Sequence, residues 1–311
     1  MRVFTDGENR TGVELTSADD AGSQVRANLA AVRAIVALGS ARGGVGKSAI
    51  AVNLAALLAQ SGRKVGIIDA DLNSPSVLPM LGVRPPRRPA VTEWIEPIAG
   101  PLGLRVLSSD LIPDFELPAA SFLDVDDPPN PQLNGRKVVE VGYTKTLRQL
   151  FERSRVGALD LLLVDLAPGI EAVGRLTRII PHAGLVVVTN SPGLSARAAR
   201  MMGEYATANG MSVIGLIENM AGFSCDGCRS VRPLLPQGAI APVANELGVP
   251  LLQHLSFDPH LAETSDRGVL FVREYSDTPL AKQLLLIAQA VDRTIKSKAS
   301  IGGREQTEGS L

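Results

Sequence analysis

Short runs of consecutive apolar residues alternate with longer segments of helical periodicity along most of the chain. The first run, Ala34–Gly39, has the length of a buried parallel strand, and Ile50, Leu54 and Leu57 then recur at helical spacing until Gly62. The predicted strands are 34–39, 64–68, 104–108, 159–165, 184–189, 212–218 and 250–255. Helices are predicted after most of them, at about 48–62, 144–153, from 171, 194–209, 239–247 and 279–296. This alternation predicts an α/β fold with a doubly wound, mostly parallel sheet and helices on both faces.

The regions outside this alternation set the expected domain limits. Residues 1–33 are mixed and polar, so we expect a flexible leader, and the glycine-bearing stretch 297–311 predicts a disordered tail. We expect residues 34–296, between these two segments, to form a single domain. It is interrupted by an excursion, 84–134, which contains ten of the 21 prolines and therefore cannot form a long helix.

Composition narrows the possible functions of this 311-residue chain. Hydrophobic residues make up 45% and charged residues 20%, so a large core can form. The 31 basic and 32 acidic residues give a net charge of −1, which argues against nucleic acid or an anionic membrane as partner. No apolar run approaches about 18 residues and Met1–Arg10 lacks a signal-peptide pattern, so we expect a cytoplasmic protein.

A glycine-rich loop, SARGGVGKS, joins the first predicted strand to the first predicted helix. Glycines allow consecutive backbone N–H groups to turn towards a phosphate, and the helix N-terminus adds partial positive charge. Lys47 can reach the β- and γ-phosphates, and the hydroxyl of Ser48 can ligate Mg²⁺. An ordinary glycine-rich turn is the alternative. The predicted nucleotide contacts here are Gly43, Gly44, Val45, Gly46, Lys47, Ser48 and Ala49.

The loop resembles the deviant Walker A motif, K-G-G-x-G-K-[ST], of the ParA/MinD/Mrp group of P-loop ATPases. In that group the additional basic residue is a lysine that reaches the nucleotide of a facing subunit. Arg42 stands at that place in this chain. Its guanidinium keeps the charge and suits phosphate oxygens, but it is bulkier than a lysine. The resemblance implies ATP as ligand and catalytic roles for Arg42 and Lys47.

Two acidic segments extend the resemblance. The sequence VGIIDADLNSPS is similar to the corresponding segment of the Mrp/ApbC family, which implies that Asp71 orients the attacking water and Asp69 supports the metal or its waters. A solvated turn after the strand is the alternative for both. Asp165 in LDLLLVDLAPG resembles the Walker B carboxylate, which holds Mg²⁺ through water, while Gly169 senses the γ-phosphate.

Two asparagines follow later strands. Asn190 lies in VVVTNSP, which resembles the strand and turn beside the adenine, and Asn219 lies in E-N-M, whose asparagine contacts the base in the family. An amide offers both a donor and an acceptor, which suits the adenine edge. As isolated residues, both would more often cap a strand end.

The two cysteines of the chain, Cys225 and Cys228, form a C-x-x-C within the expected loop 223–232. Two thiolates cannot complete a four-ligand site, so a histidine, solvent or a second subunit must supply the rest. The Mrp/ApbC resemblance implies a [4Fe–4S] cluster bridged across a homodimer. Structural zinc and a thioredoxin-type redox pair are the alternatives.

The sequence therefore predicts an ATP-binding iron–sulfur cluster carrier that receives a cluster from a donor and delivers it to apo-proteins. A ParA/MinD-like positioning ATPase is the alternative, together with a regulator that has lost hydrolysis. The W-R-G-P segment expected in Mrp/ApbC proteins is absent, and Val139–Tyr143 stands near its place. The polar C-terminus does not resemble the basic amphipathic helix of a MinD-like protein.

Overall fold

A nine-stranded sheet organises the protein, and its middle strands are the apolar runs of the sequence. The computed structural model describes residues 2–5, 11–14, 18–86, 93–112, 135–224 and 231–305. The strands are β1 (Arg2–Thr5), β2 (Thr11–Glu14), β3 (Ile35–Gly39), β4 (Val65–Ala70), β5 (Ile98–Ala99), β6 (Arg105–Leu107), β7 (Leu161–Leu166), β8 (Gly184–Asn190), β9 (Ser212–Ser224), β10 (Val231–Pro233) and β11 (Leu251–Phe257). The helices are α1 (Ala18–Leu29), α2 (Lys47–Gln60), α3 (Val77–Met80), α4 (Gly135–Arg153), α5 (Ile170–Ile179), α6 (Gly193–Ala208), α7 (Ile240–Glu246), α8 (Pro259–Arg267), α9 (Phe271–Glu274) and α10 (Pro279–Glu305).

Parallel pairing dominates the sheet. The strands lie in the order β10, β9, β8, β3, β7, β4, β6, β5, and β11 also pairs with β9. Among the described strands of this sheet, β10 and β5, which lie at its two ends, are the two that pair antiparallel with their neighbours. All residues of β3, β4 and β7 are buried, as continuous apolar strands require when both faces are covered.

Helices cover both faces of this sheet. The connection from β3 through α2 to β4 runs in one direction along the sheet, and that from β7 through α5 to β8 runs in the other. Right-handed crossovers therefore place α2 and α5 on opposite faces. α10 packs against α2 and β11, while α6 packs against α5 and β8. The predicted doubly wound α/β fold is confirmed, and no described helix is both long and apolar enough to span a bilayer.

The N-terminal segment differs from the flexible leader expected over 1–33. β1 and β2 pair antiparallel, and α1 packs against α4. Val25 and Leu29, one helical turn apart, are buried in this contact. A single apolar pair among polar residues is too short a pattern to predict an amphipathic helix.

The C-terminal segment also differs from the tail expected over 297–311. α10 continues to Glu305, because extending an existing helix adds one hydrogen bond for each residue fixed. Residues 306–311 lie outside the described part of the chain.

Part of the proline-rich excursion, 84–134, belongs to the sheet. β6 lies where the sequence predicted a strand, β5 pairs with it, and Leu104 and Val106 are buried. Residues 87–92 and 113–134 are outside the described ranges.

Candidate nucleotide-binding site

The predicted nucleotide ligands gather at the carboxyl ends of five neighbouring strands, β4, β7, β3, β8 and β9. The glycine-rich loop follows β3, and Asp69 and Asp165 lie side by side on β4 and β7. Asn190 and Asn219 are paired in the same way on β8 and β9. This edge is where ligands bind in open parallel sheets.

The glycine-rich loop adopts a conformation that side chains would oppose. Gly44 and Gly46 have φ values of 77° and 81°, in the left-handed region that glycine favours. A Cβ at Gly46 would lie 2.5 Å from Asn219 Nδ2. That Nδ2 donates a hydrogen bond of 2.9 Å to the carbonyl oxygen of Val45. Gly46 therefore allows Asn219 of β9 to hold the loop in place.

The loop leads directly into the N-terminus of α2, which begins at Lys47. Gly46 precedes the helix and no side chain caps it. The first backbone N–H groups of an α-helix have no intrahelical acceptor, so those of Lys47, Ser48 and Ala49 are available to an anion. This end of α2 fits a phosphate group.

A buried ion pair lies beside the loop. Lys47 Nζ is 2.5 Å from Asp165 Oδ1, and the side chains are 6% and 0% exposed. Lys47 Nζ also donates to Ser48 Oγ at 3.2 Å. A buried ammonium needs a partner, and Asp165 supplies it. These two contacts hold the Lys47 side chain next to the glycine-rich loop.

The second carboxylate oxygen of Asp165 does not take part in the contact with Lys47. Oδ2 is buried and has no hydrogen-bond partner among the described residues. Burial raises the pKa of Asp165, and the neighbouring Lys47 and Ser48 oppose that shift. A buried carboxylate oxygen without a donor, next to the Ser48 hydroxyl, fits the coordination sphere of Mg²⁺ or of its waters.

Asp69 organises the loop that follows β4. Its Oδ1 accepts the backbone N–H of Asp71 at 3.1 Å, and its Oδ2 accepts those of Ser76 and Val77 at 2.7 and 2.8 Å. Burial, together with Asp165, raises the pKa of Asp69 to about 7 against the effect of these three donors. Both oxygens of Asp69 thus serve the shape of the loop.

Asp71 and Arg42 lie nearer to solvent than the groups described above. Asp71 is half-buried, and Arg42 is exposed on the glycine-rich loop. An exposed guanidinium at the rim of a phosphate site can reach a group on another molecule, whereas the buried Lys47 cannot. Burial therefore separates Arg42 and Asp71 from the binding groups at the centre of the site.

The two asparagines play different parts within the chain. Asn219 uses its Nδ2 on the loop, whereas Asn190 Oδ1 is buried without a hydrogen-bond partner among the described residues. An unpartnered buried amide oxygen at a ligand edge fits an external donor such as the adenine amino group.

Sequence reasoning missed a network next to Asn219. Glu218 is 2% exposed and accepts a hydrogen bond from Ser191 Oγ, while His254 Nδ1 contacts its other oxygen. Glu218 is the first residue of the E-N-M motif, but no sequence pattern indicated that His254 of β11 contacts it.

Cys225 and Cys228 lie outside the described residues. β9 ends at Ser224, and Ser224 pairs with Val231 at the start of β10, so residues 225–230 connect two paired strand ends. Phe223, the residue before Ser224, is 37% exposed and lies near Phe257, with 6.5 Å between the ring centroids. The cysteine pair therefore follows an accessible end of β9.

A family model described as "ParA: NUBPL iron-transfer P-loop NTPase" matches residues 31–119 and 138–292. The chain belongs to this family. The match covers the glycine-rich loop, both acidic segments and the C-x-x-C, so the resemblance read from those motifs is confirmed.

Named relatives of this chain align with it along most of their length. An "Iron-sulfur cluster carrier protein" of Saccharolobus solfataricus is 36% identical over 263 residues, covering 83% of this chain and 82% of the relative. The "Cytosolic Fe-S cluster assembly factor NUBP2" of Bos taurus is 34% identical over 270 residues, covering 85% and 94%.

Solved structures agree on the fold. A nucleotide-binding protein from Archaeoglobus fulgidus in complex with ADP has a TM-score of 0.64 and 26% identity, over 84% of this chain and 95% of that one. The cell division ATPase MinD of Pyrococcus furiosus has a TM-score of 0.57 and 20% identity, over 85% and 100%. The second likeness shows the shared P-loop NTPase fold alone.

Proposed function

We propose that this chain is an ATP-binding iron–sulfur cluster carrier. It accepts a [4Fe–4S] cluster from a donor, keeps the cluster between two copies of the chain and delivers it to apo-proteins. The observation that carries the proposal is the position of the C-x-x-C, directly after β9, the strand whose Asn219 supports the glycine-rich loop. Relatives that carry the name of cluster carriers align over about four fifths of both chains, which supports it.

Binding of ATP follows from the groups at the centre of the site. The first N–H groups of α2 receive the phosphates, and Lys47 exchanges its contact with Asp165 for one with the β- and γ-phosphates. Ser48 and Asp165 would hold Mg²⁺, which neutralises phosphate charge when bound. Asn190 Oδ1 accepts from the adenine, while Asn219 maintains the loop and lies beside the base.

Slow hydrolysis of ATP follows from the groups at the rim. The carboxylate of Asp71 orients the attacking water. Arg42 of one copy approaches the nucleotide of the other, where its guanidinium stabilises charge as the bond to the γ-phosphate breaks. Turnover therefore depends on two copies meeting, although binding does not.

The cluster is the cargo of the proposed carrier. Cys225 and Cys228 supply two thiolates for each chain, and a symmetric pair of chains supplies the four that a [4Fe–4S] cluster needs. We place this activity in the cytoplasm, where free thiols persist. Cluster donor and apo-protein recipients are its partners, and the proposal involves neither nucleic acid nor membrane.

Transfer of a cluster is the direct test of this function. Protein reconstituted anaerobically with iron and sulfide is mixed with the apo form of a [4Fe–4S]-dependent dehydratase, with a chelator present to capture free iron. We expect dehydratase activity to appear with the natural chain and to be absent with Cys225→Ser or Cys228→Ser. The matched control is Ser224→Ala, which changes the residue beside Cys225, keeps both thiols and should transfer normally.

Two outcomes would reject the proposal. Transfer by the cysteine variants at the natural rate would exclude the C-x-x-C as the cluster site. Zinc at about one per dimer without sulfide would instead indicate a structural metal.

A further inference from the structure

The hydroxyl of Tyr143 bridges the peptide groups on the two sides of Asp71. It donates a hydrogen bond of 2.8 Å to the carbonyl oxygen of Ala70 and accepts one of 3.0 Å from the N–H of Leu72. The N–H of Asp71 itself donates to Asp69. The last residue of β4 and the two residues that follow it are thus fixed by two side chains, one of them from α4.

Tyr143 is itself firmly placed. It is 3% exposed, and the guanidinium carbon of Arg175, on α5, lies 4.3 Å from the centre of its ring. A cation over an aromatic face is attracted by the ring, so α5 braces the phenol against the loop. Burial is the main cause that raises the pKa of Tyr143 to about 12, so its hydroxyl keeps its proton at neutral pH.

Asp165 and Asp71 differ in how their side chains are fixed. The carboxylate of Asp165 is locked by its buried contact with Lys47. Asp71 lies beyond the end of β4 and is half-buried, so the direction of its side chain depends on its backbone. A displacement of about 1 Å in a group that orients a reactant can cost about 100-fold in rate.

We propose that Tyr143 is a positioning residue for ATP hydrolysis: its hydroxyl fixes the backbone around Asp71 and thereby aims the Asp71 carboxylate at the attacking water. This inference rests on the proposed ATPase activity and on the role of Asp71 within it. Under this inference α4 contributes to ATP hydrolysis through Tyr143 and does not contribute to nucleotide binding.

The test is the Tyr143→Phe variant, which removes the hydroxyl and keeps the ring against Arg175. We expect kcat for ATP to fall about ten-fold, while KM for Mg-ATP and the affinity for Mg-ADP stay within about two-fold. Tyr205→Phe is the matched control: it removes a hydroxyl from a half-buried tyrosine on α6, outside the site, and should leave kcat unchanged. Thermal unfolding of each variant measures any general loss of stability.

A double variant separates positioning from a merely structural effect. Asp71→Asn should itself lower kcat, and adding Tyr143→Phe to it should lower kcat no further, because Tyr143 acts through Asp71. The inference would be overturned if the kcat of the double variant fell by the product of the two single losses. It would also be overturned if Tyr143→Phe lowered nucleotide affinity as much as it lowered kcat. If Tyr143→Phe hydrolysed ATP at the natural rate while Asp71→Asn was inactive, the role of Tyr143 would be refuted and the proposed ATPase would stand. If the natural chain did not hydrolyse ATP, the proposed ATPase would be refuted as well.

Discussion

β9 connects two regions, and they differ in how many of the groups that a ligand needs come from a single chain. At Asn219, five strands of the same chain bring together the loop, Lys47 and the carboxylates of the nucleotide site. Beyond Ser224, at most about 17 Å further along the strand, follow Cys225 and Cys228, the two thiolates that each copy contributes in the proposed carrier. In the proposed function, the first region offers a helix end for phosphate, a carboxylate for a cation and an amide oxygen for the base, all within a single copy.

This difference implies two kinds of concentration dependence. A site complete within one chain should bind its ligand whether or not chains associate. A pair of thiolates becomes a four-ligand site only when a second copy arrives, so cluster loading should follow dimerisation.

Removal of the Lys47 ammonium should abolish the nucleotide site and leave the cysteine segment intact. In Lys47→Ala the affinity for Mg-ADP should fall by at least about 100-fold, because phosphate charge loses its partner. The same change leaves the buried Asp165 carboxyl unpaired and should lower the free energy of unfolding by about 3 kcal/mol. Calorimetric titration and thermal unfolding measure the two effects.

The matched control is Lys64→Ala, since Lys64 is exposed and distant from the loop. It should bind Mg-ADP like the natural chain. Equal affinity in Lys47→Ala and Lys64→Ala would contradict the nucleotide site described here.

Loss of the Arg42 guanidinium should slow ATP hydrolysis, which needs two copies, and should leave nucleotide binding by one copy unchanged. We expect Arg42→Ala to lower kcat for ATP at least about ten-fold and to change the affinity for Mg-ADP less than two-fold. The exposed Arg178→Ala on α5 serves as the control. Steady-state hydrolysis at several protein concentrations is the measurement, and unchanged turnover in Arg42→Ala would remove this residue from the mechanism.

A smaller effect concerns pH, because the pKa of Asp69 lies at about 7 in the folded chain. An unfolded aspartate titrates near 3.9, so between about pH 4 and pH 7 the folded state binds more protons. The free energy of unfolding of the nucleotide-free protein should therefore fall as pH rises through this window, by at most about 1.4 kcal/mol per pH unit for one group, and level off above it. The raised pKa of Asp165 acts in the same direction.

Denaturant unfolding between pH 5 and pH 8 tests this dependence. Asp69→Asn should flatten the decline, whereas the exposed Asp266→Asn should preserve it. A decline of the same slope in Asp69→Asn would show that other groups cause it.

The sequence predicted the strands of the site because their signals are local. Each middle strand is a continuous apolar run, and parallel strands bring their carboxyl ends to one edge, so Asp69 and Asp165 could be placed together in advance. Glycines before Lys47 indicated the loop for the same reason. Their conformation, with φ values of 77° and 81° at Gly44 and Gly46, follows the local sequence.

What the sequence did not reveal depends on contacts between distant residues. Tyr143 is 71 positions from Leu72, and His254 is 36 from Glu218, so neither pairing leaves a periodic signal. The contact of α1 with α4 likewise joins distant parts of the chain, as in the hydrogen bond from Asn28 to the carbonyl oxygen of Phe151, 123 positions away. Such contacts depend on tertiary packing, which no local propensity encodes.

The central claim, a cluster site completed only by two copies, is tested most directly by metal content per assembly. Anaerobically reconstituted protein is separated by size with light scattering, and iron and sulfide are measured in each peak. We predict about four irons and four sulfides per dimer, none on the monomer, and loss of both iron and dimer in Cys225→Ser. A cluster bound to the monomer, or an iron-free dimer after reconstitution, would contradict the account.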